Sequence, residues 1–190
     1  LSAAAGARIN RPGASALKEH TQSASALLGM DVPIMGDFPN IALNTIAHLE
    51  LVQFIEAAIE TSGAETIFTH HPADLNDDHL HVSLACQAAA RRSQRRSGIP
   101  KLRALYFMEV LSSTDWAFPV ATPPFRPDTF ISVAATDIER KLTALAEYHG
   151  VMRPFPHSRS AEAVHALATL RGAQANVLHA EAFQAAFVAL

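Results

Sequence analysis

The segment Thr69–Val82, THHPADLNDDHLHV, constrains the fold of this chain more than any other. It follows the apolar run Glu65–Phe68, which is typical of the end of a short buried strand. Asn76 then precedes two aspartates, a pattern that predicts a helix N-cap with acidic residues in the first turn. We therefore expect a strand, a polar loop and a helix in succession. In open α/β sheets, ligands bind at the carboxyl ends of such strands.

The same segment holds four of the ten histidines of the chain. Together with its aspartates they have the composition of a metal site, because imidazole and carboxylate groups are common zinc ligands. His79 is predicted to lie in the first helical turn, where the helix dipole disfavours a protonated ring. An ordinary surface or capping histidine is the alternative for His79, and His81 is predicted to point to a different side of the helix. Of His70 and His71, one should face the crevice and the other pack away from it.

Periodicity predicts strands alternating with helices, and therefore an α/β fold with a mainly parallel sheet. Helices are predicted over 14–28, 44–63, 77–92, 137–149, 160–172 and Ala180–Ala189, and strands over 66–69, 104–110 and 129–133. A sheet covered on both faces normally has more than three strands. We therefore expect that the first strand of the sheet is missing.

Composition excludes several classes of protein. A net charge of -3 provides no basic field for nucleic acid, and the basic run 91–96 is typical of solvated arginines at a helix end. No stretch reaches the length of about 20 apolar residues that spans a bilayer. The single Cys86 provides neither a disulfide nor a cysteine-based zinc site. We expect one cytoplasmic domain over residues 1–190, without nucleic-acid or membrane partners.

Other candidate chemistry is weaker. Ser112 and Ser113 lack the Gly-x-Ser-x-Gly sequence of a serine hydrolase, and no glycine-rich phosphate loop is present. Glu109 ends a predicted strand and either lines the same crevice or is a local hydrogen-bond acceptor. Arg159 lies in the proline-rich loop 153–160. It either contacts an anionic substrate group or belongs to a loop packed between two helices.

Four motifs follow one another along the chain: THHPADLNDDHLHV, MEVLSSTDW (Met108–Trp116), RPFPHSRS (Arg153–Ser160) and ALATLRG (Ala166–Gly172). Their order and spacing resemble those of the LmbE-like, PIG-L family of zinc-dependent N-acetylglucosaminyl deacetylases, with weaker similarity at Leu1–Arg8 and Phe38–Asn40. The resemblance implies a Rossmann-like three-layer sandwich. It also implies a catalytic zinc ion and hydrolysis of an N-acetyl group on an amino sugar.

The resemblance also implies roles for individual residues. The family binds zinc through two histidines and an aspartate, and one of these is the histidine of an Asp-His pair, which here is Asp78-His79. His79 is thus the expected metal ligand. Asn76 replaces a histidine of many members, and it can donate to an oxyanion but cannot act as a general acid. The His-Pro-Asp-Asp motif with the other ligands is absent, so we expect an incomplete zinc site in a chain that lacks its N-terminal metal-motif strand.

These observations predict a zinc-dependent deacetylase that hydrolyses the N-acetyl group of an N-acetylglucosamine-type sugar or conjugate. Asn76 and Asp74 are the predicted catalytic residues. His71, Glu109 and Arg159 are predicted to contact the substrate. The alternative, from a different class, is a catalytically inert, truncated remnant that binds sugar or merely folds.

Overall fold

The structure is a computed structural model that describes residues 12–97, 99, 101–118 and 123–189. The chain forms two compact units, each made of two chain segments. Unit 1 comprises Leu1–Asn40 with Phe130–Ala182, and unit 2 comprises Ile41–Thr129 with Phe183–Leu190. A single LmbE-like domain over residues 1–190 stays a prediction. The family-like segment Leu1–Arg8 lies outside the described residues.

The helices and strands alternate along much of the chain, which confirms the predicted α/β class. In order they are α1 (Ala14–Leu27), α2 (His48–Ser62), β1 (Thr66–His70), α3 (Asp77–Ala89), α4 (Arg92–Arg95), β2 (Ala104–Met108), β3 (Thr129–Ser132), α5 (Ala135–Ala146), α6 (Ala161–Gln174) and β4 (Ala180–Val188). A short 3-10 helix, Leu43–Thr45, precedes α2. None of the helices in the described part of the chain is long and apolar enough to cross a membrane.

The described strands form one mixed sheet in the order β1-β2-β4-β3, so the prediction of a mainly parallel sheet is wrong. β1 and β2 are parallel, whereas β2 and β4 are antiparallel. The N–H groups of Asp128 and Val133 donate to the carbonyls of Phe183 and His179, a pattern that makes β3 and β4 antiparallel as well. Two of the three strand pairings are therefore antiparallel.

The prediction of a last helix over Ala180–Ala189 is also wrong, because residues 180–188 form β4. Ala180 and Ala182 are both buried and alternate with more exposed neighbours, which is the period of a strand. Alanine favours helices locally, but β4 lies between β2 and β3, where its backbone groups have partners on both sides. The structure thus has four described strands and six α-helices, and a missing first strand stays a prediction.

Helix α3 begins where the sequence predicts. The side chain of Asn76 caps it by accepting a hydrogen bond from the N–H of Asp78 at 3.0 Å. The carboxylate of Asp78 in turn accepts the N–H groups of Ile41 at 2.5 Å and Leu43 at 3.0 Å. The start of α3 is thus tied to the segment that leads into α2.

Helices pack against one another in both units. In unit 2, α3 packs on both α2 and β1 through its buried Ala85, Cys86 and Ala89. In unit 1, α5 packs on both α1 and α6. Ser160 is fully buried and caps α6 by accepting the N–H of Ala163 at 3.1 Å.

Candidate functional site

The polar loops that follow β1 and β2 meet at one end of the sheet, within unit 2. The two strands are parallel, with His70 opposite Met108, so their carboxyl ends are adjacent. The N–H of Leu75, in the loop after β1, donates to the carbonyl of Ser113, in the loop after β2, at 3.3 Å. Side chains from both loops and from the first turn of α3 therefore converge there.

His70 and His79 lie against each other at this position. Their ring centroids are 3.8 Å apart and the ring planes differ by 4°. His71 instead is buried, and it packs edge-on against Phe107 and Phe125, with centroids 5.4 and 5.6 Å away. Consecutive residues of an extended chain point to opposite sides. The structure thus places His70 toward α3 and His71 in an aromatic environment.

The carboxylate of Asp74 is the centre of the hydrogen bonds in this cluster, and its side chain is fully buried. Its Oδ1 lies 3.0 Å from Nδ1 of His79 and accepts the N–H of Asn76 at 2.9 Å. The hydroxyl of Ser113 donates to the same oxygen. The hydroxyl of Thr114 donates to Oδ2 at 3.0 Å. Four polar groups therefore surround one carboxylate.

These contacts set the charge states of the cluster. Burial raises the pKa of Asp74, but the hydrogen bonds from His79 and Ser113 outweigh burial and bring that pKa to about 2. Burial, with a smaller contribution from His79, lowers the pKa of His70 to about 4. Burial also lowers the pKa of His71. At neutral pH, Asp74 is therefore a carboxylate and His70 a neutral imidazole, which are the forms that bind metals.

His70, Asp74 and His79 could hold a metal ion, because their ligand atoms lie within 4.8 Å of one another. Two imidazoles and a carboxylate are a donor set that suits zinc. Nδ1 of His70 is buried and has no hydrogen-bond partner among the described residues, which an ion would provide. The two rings are stacked in parallel planes, however, and a ring nitrogen binds an ion that lies in its own ring plane. One of the rings must therefore turn for both to bind the same ion.

The structure brings together three residues that the sequence singled out, namely Asp74, Asn76 and His79. Glu109 is half-buried and directly follows β2, at the same end of the sheet. Arg159 belongs to unit 1, where its N–H donates to Nδ1 of His157 at 3.0 Å. Substrate contacts by His71, Glu109 and Arg159 stay predictions.

Sequence reasoning missed three participants. The sequence does not distinguish His70 from His71 as a metal ligand, because the strand register that separates them is not visible in it. At the level of sequence, Ser113 is only a possible nucleophile and Thr114 has no assigned role. Both residues follow a strand that runs parallel to the strand of the histidine-rich segment, and this position could have indicated their part in the site.

Several solved structures share the fold, and three of them are described below, whereas no family model and no curated protein matches the sequence. The conserved protein TT1542 from Thermus thermophilus is 21% identical with a TM-score of 0.71, and the match covers 96% of this chain and 78% of that one. N,N'-diacetylchitobiose deacetylase from Pyrococcus horikoshii is 13% identical with a TM-score of 0.71, over 95% and 67% of the two chains. The 4-carboxy-2-hydroxymuconate hydratase GalB from Pseudomonas putida is 21% identical with a TM-score of 0.68, over 93% and 73%.

These likenesses support the LmbE-like fold. They do not identify the reaction that this chain catalyses, because the matched structures include both a deacetylase and a hydratase.

Proposed function

We propose that this chain is a zinc-dependent deacetylase that hydrolyses the N-acetyl group of an N-acetylglucosamine-type sugar or conjugate. The observation that carries the proposal is the cluster of His70, Asp74 and His79 at the carboxyl end of β1. Its fold also occurs in N,N'-diacetylchitobiose deacetylase. A bound zinc ion polarises a carbonyl group and acidifies water toward a pKa of about 7.

His79 and His70 would hold the ion. Nδ1 of His79 faces Asp74, so its Nε2 is the atom that remains for a ligand. The second ligand atom would be Nδ1 of His70, which is buried. Asp74, with a pKa of about 2 and its oxygens occupied by hydrogen bonds, is a weak base and orients His79.

Asn76 is the proposed donor to the negative charge that develops on the acetyl oxygen. Its side-chain oxygen already caps α3, so the amide NH2 group is the part of the side chain that can donate. Glu109 is proposed to accept hydrogen bonds from sugar hydroxyl groups. Substrate contacts by His71 and Arg159 are proposed from the sequence motifs alone.

The test combines zinc binding with acetate release. The purified chain, stripped with EDTA, is titrated with zinc chloride by calorimetry, and acetate release from N,N'-diacetylchitobiose is then measured. We expect zinc-dependent release that is lost in His79→Ala. His81→Ala is the matched control, because His81 lies on the same helix and pairs with Asp77 at 3.4 Å, and we expect it to keep the activity. Release that persists in His79→Ala would contradict the proposed site.

An inert sugar-binding domain is the second candidate. It is favoured by the absence of a His-Pro-Asp-Asp motif from the sequence, because in the family that motif carries the general base. Binding of N,N'-diacetylchitobiose with no release of acetate in the presence of zinc would identify this second function.

A further inference from the structure

The loop after β2 forms a tight turn that is closed by its own hydrogen bonds. The N–H groups of Ser113 and Thr114 donate to the carbonyl of Val110 at 3.2 and 2.8 Å, and the N–H of Val110 donates to the Thr114 hydroxyl at 2.8 Å. The N–H of Ser113 also donates to Asp115 at 2.9 Å. Ser112 has a φ of +68°, a conformation unfavourable for residues other than glycine. The turn is therefore held in one specific geometry.

This turn presents two hydroxyl groups to Asp74, one to each carboxylate oxygen. Ser113, which is buried, donates to Oδ1, and Thr114 donates to Oδ2 at 3.0 Å. The hydroxyl of Thr114 already accepts the N–H of Val110, so its single proton is free for Asp74. Because both oxygens are engaged, rotation of the carboxylate would break at least one of these bonds.

The same hydrogen bonds determine which nitrogen of His79 carries a proton. Nδ1 of His79 lies 3.0 Å from Oδ1 of Asp74 and 3.2 Å from the hydroxyl oxygen of Ser113. The only hydroxyl proton of Ser113 is donated to Asp74, so toward His79 that oxygen can only accept. Both neighbours of Nδ1 are thus acceptors. In the neutral ring Nδ1 therefore holds the proton, and Nε2 has the free lone pair.

We propose that Ser113 and Thr114 are positioning residues that lock Asp74 and, through it, keep His79 in the Nδ1–H tautomer. Nε2 of His79 is then always available to an ion. The consequence for metal binding rests on the proposed function, whereas the tautomer itself does not.

The test is nuclear magnetic resonance of the chain labelled with ¹⁵N-histidine, in EDTA at pH 8, above the ordinary pKa of histidine. Long-range ¹H–¹⁵N correlations distinguish the two tautomers, and the His79 signals are assigned from their loss in His79→Gln. We expect the Nδ1–H form in the wild type. In Ser113→Ala and Thr114→Val we expect a mixture of tautomers, and zinc affinity about 10-fold to 100-fold weaker. Ser113→Thr and Thr114→Ser retain a hydroxyl at each position, so both variants should keep the Nδ1–H tautomer and the wild-type zinc affinity.

Ser112→Gly is the matched control, since it removes a hydroxyl from the same turn at a φ that glycine adopts readily. The wild-type tautomer can overturn the proposal even if a variant does not fold. An Nε2–H ring in the wild type would overturn it, as would folded Ser113→Ala and Thr114→Val proteins with unchanged tautomer and zinc affinity. An Nδ1–H ring without zinc-dependent acetate release would reject only the proposed function.

Discussion

Two carboxylates near the start of α3 have different partners and therefore different roles. Asp74 is surrounded by side chains of the candidate site, whereas Asp78 accepts the backbone N–H groups of Ile41 and Leu43. Ile41 has a φ of +56°, which is unfavourable for a β-branched residue and is sustained here by its hydrogen bond to Asp78. In the Asp78-His79 pair, the aspartate thus stabilises the backbone at Ile41 and Leu43, while the histidine belongs to the candidate site.

We predict that Asp78→Ala lowers the free energy of unfolding by about 2 kcal/mol, because two backbone donors lose a charged acceptor. Urea denaturation measures this. Asp77→Ala is the control, since Asp77 lies in the same first turn but contacts only the side chain of His81 among the contacts described, at 3.4 Å. Asp77→Ala should cost at most about 1 kcal/mol. Equal costs for the two variants would show that the bonds to Ile41 and Leu43 contribute nothing.

Acid should destabilise the metal-free chain in two steps. The pKa of His70 falls from 6.5 to about 4 on folding, so the unfolded chain binds more protons between these values. The associated stability, up to about 3 kcal/mol, is present above pH 6.5 and is lost as the pH falls to 4. The pKa of Asp74 falls from 3.8 to about 2, so a further loss of about 2 kcal/mol follows as the pH drops from 3.8 through 2.

Urea denaturation in EDTA between pH 2 and 7.5 tests both steps. His70→Gln removes the titrating ring and should flatten the pH dependence of the first step, while the step below pH 4 remains. An unchanged slope in His70→Gln would assign the upper step to another group.

At the scale of elements, α6 contains a position where the local preference for a helix opposes the packing. Gly172 is buried near the end of α6, and a Cβ atom added there would lie 2.6 Å from the carbonyl oxygen of Leu178 and 2.7 Å from that of Val177. Both contacts are to backbone atoms, which cannot move aside as a flexible side chain can. The glycine thus lets the chain turn closely from α6 toward β4.

We predict that Gly172→Ala destabilises the protein by about 1–3 kcal/mol, because the steric conflict exceeds the gain of about 1 kcal/mol from helix propensity. Thermal or urea unfolding measures the change. The exposed neighbour provides the control, and Ala173→Gly should cost about 1 kcal/mol through propensity alone. A Gly172→Ala protein more stable than the wild type would show that the turn after α6 moves freely.

At the scale of the whole molecule, zinc binding should be linked to folding. The proposed ligands His70 and His79, and Asp74 that orients His79, come from β1, α3 and the loop between them. Only the folded chain brings these groups within 4.8 Å of one another. We predict that zinc at 100 times its Kd raises the free energy of unfolding by about 2.7 kcal/mol, and that EDTA reverses the effect. The increase should vanish in His79→Ala and persist in His81→Ala. An equal increase in His79→Ala would place the zinc elsewhere.

Much of the fold could be predicted because it follows from local patterns. The positions of β1, β2 and β3 follow from short apolar runs, and the start of α3 from Asn76 and the two aspartates after it. Gly63, with a φ of +65°, ends α2 where the sequence predicts a stop. In each case the interacting groups lie within a few residues of one another, so the sequence alone contains the whole interaction.

The tertiary structure alone decided the features that join distant residues. β4 is a strand because β2 and β3 pair with it, although its alanines favour a helix. The contact between Asp74 and Ser113 spans 39 residues, and no local pattern signals it. The choice between His70 and His71 depended on the register of β1, in which a shift of one residue would exchange their environments. The sequence by itself therefore determined which chemical groups this protein has, and long-range pairing decided which of them meet.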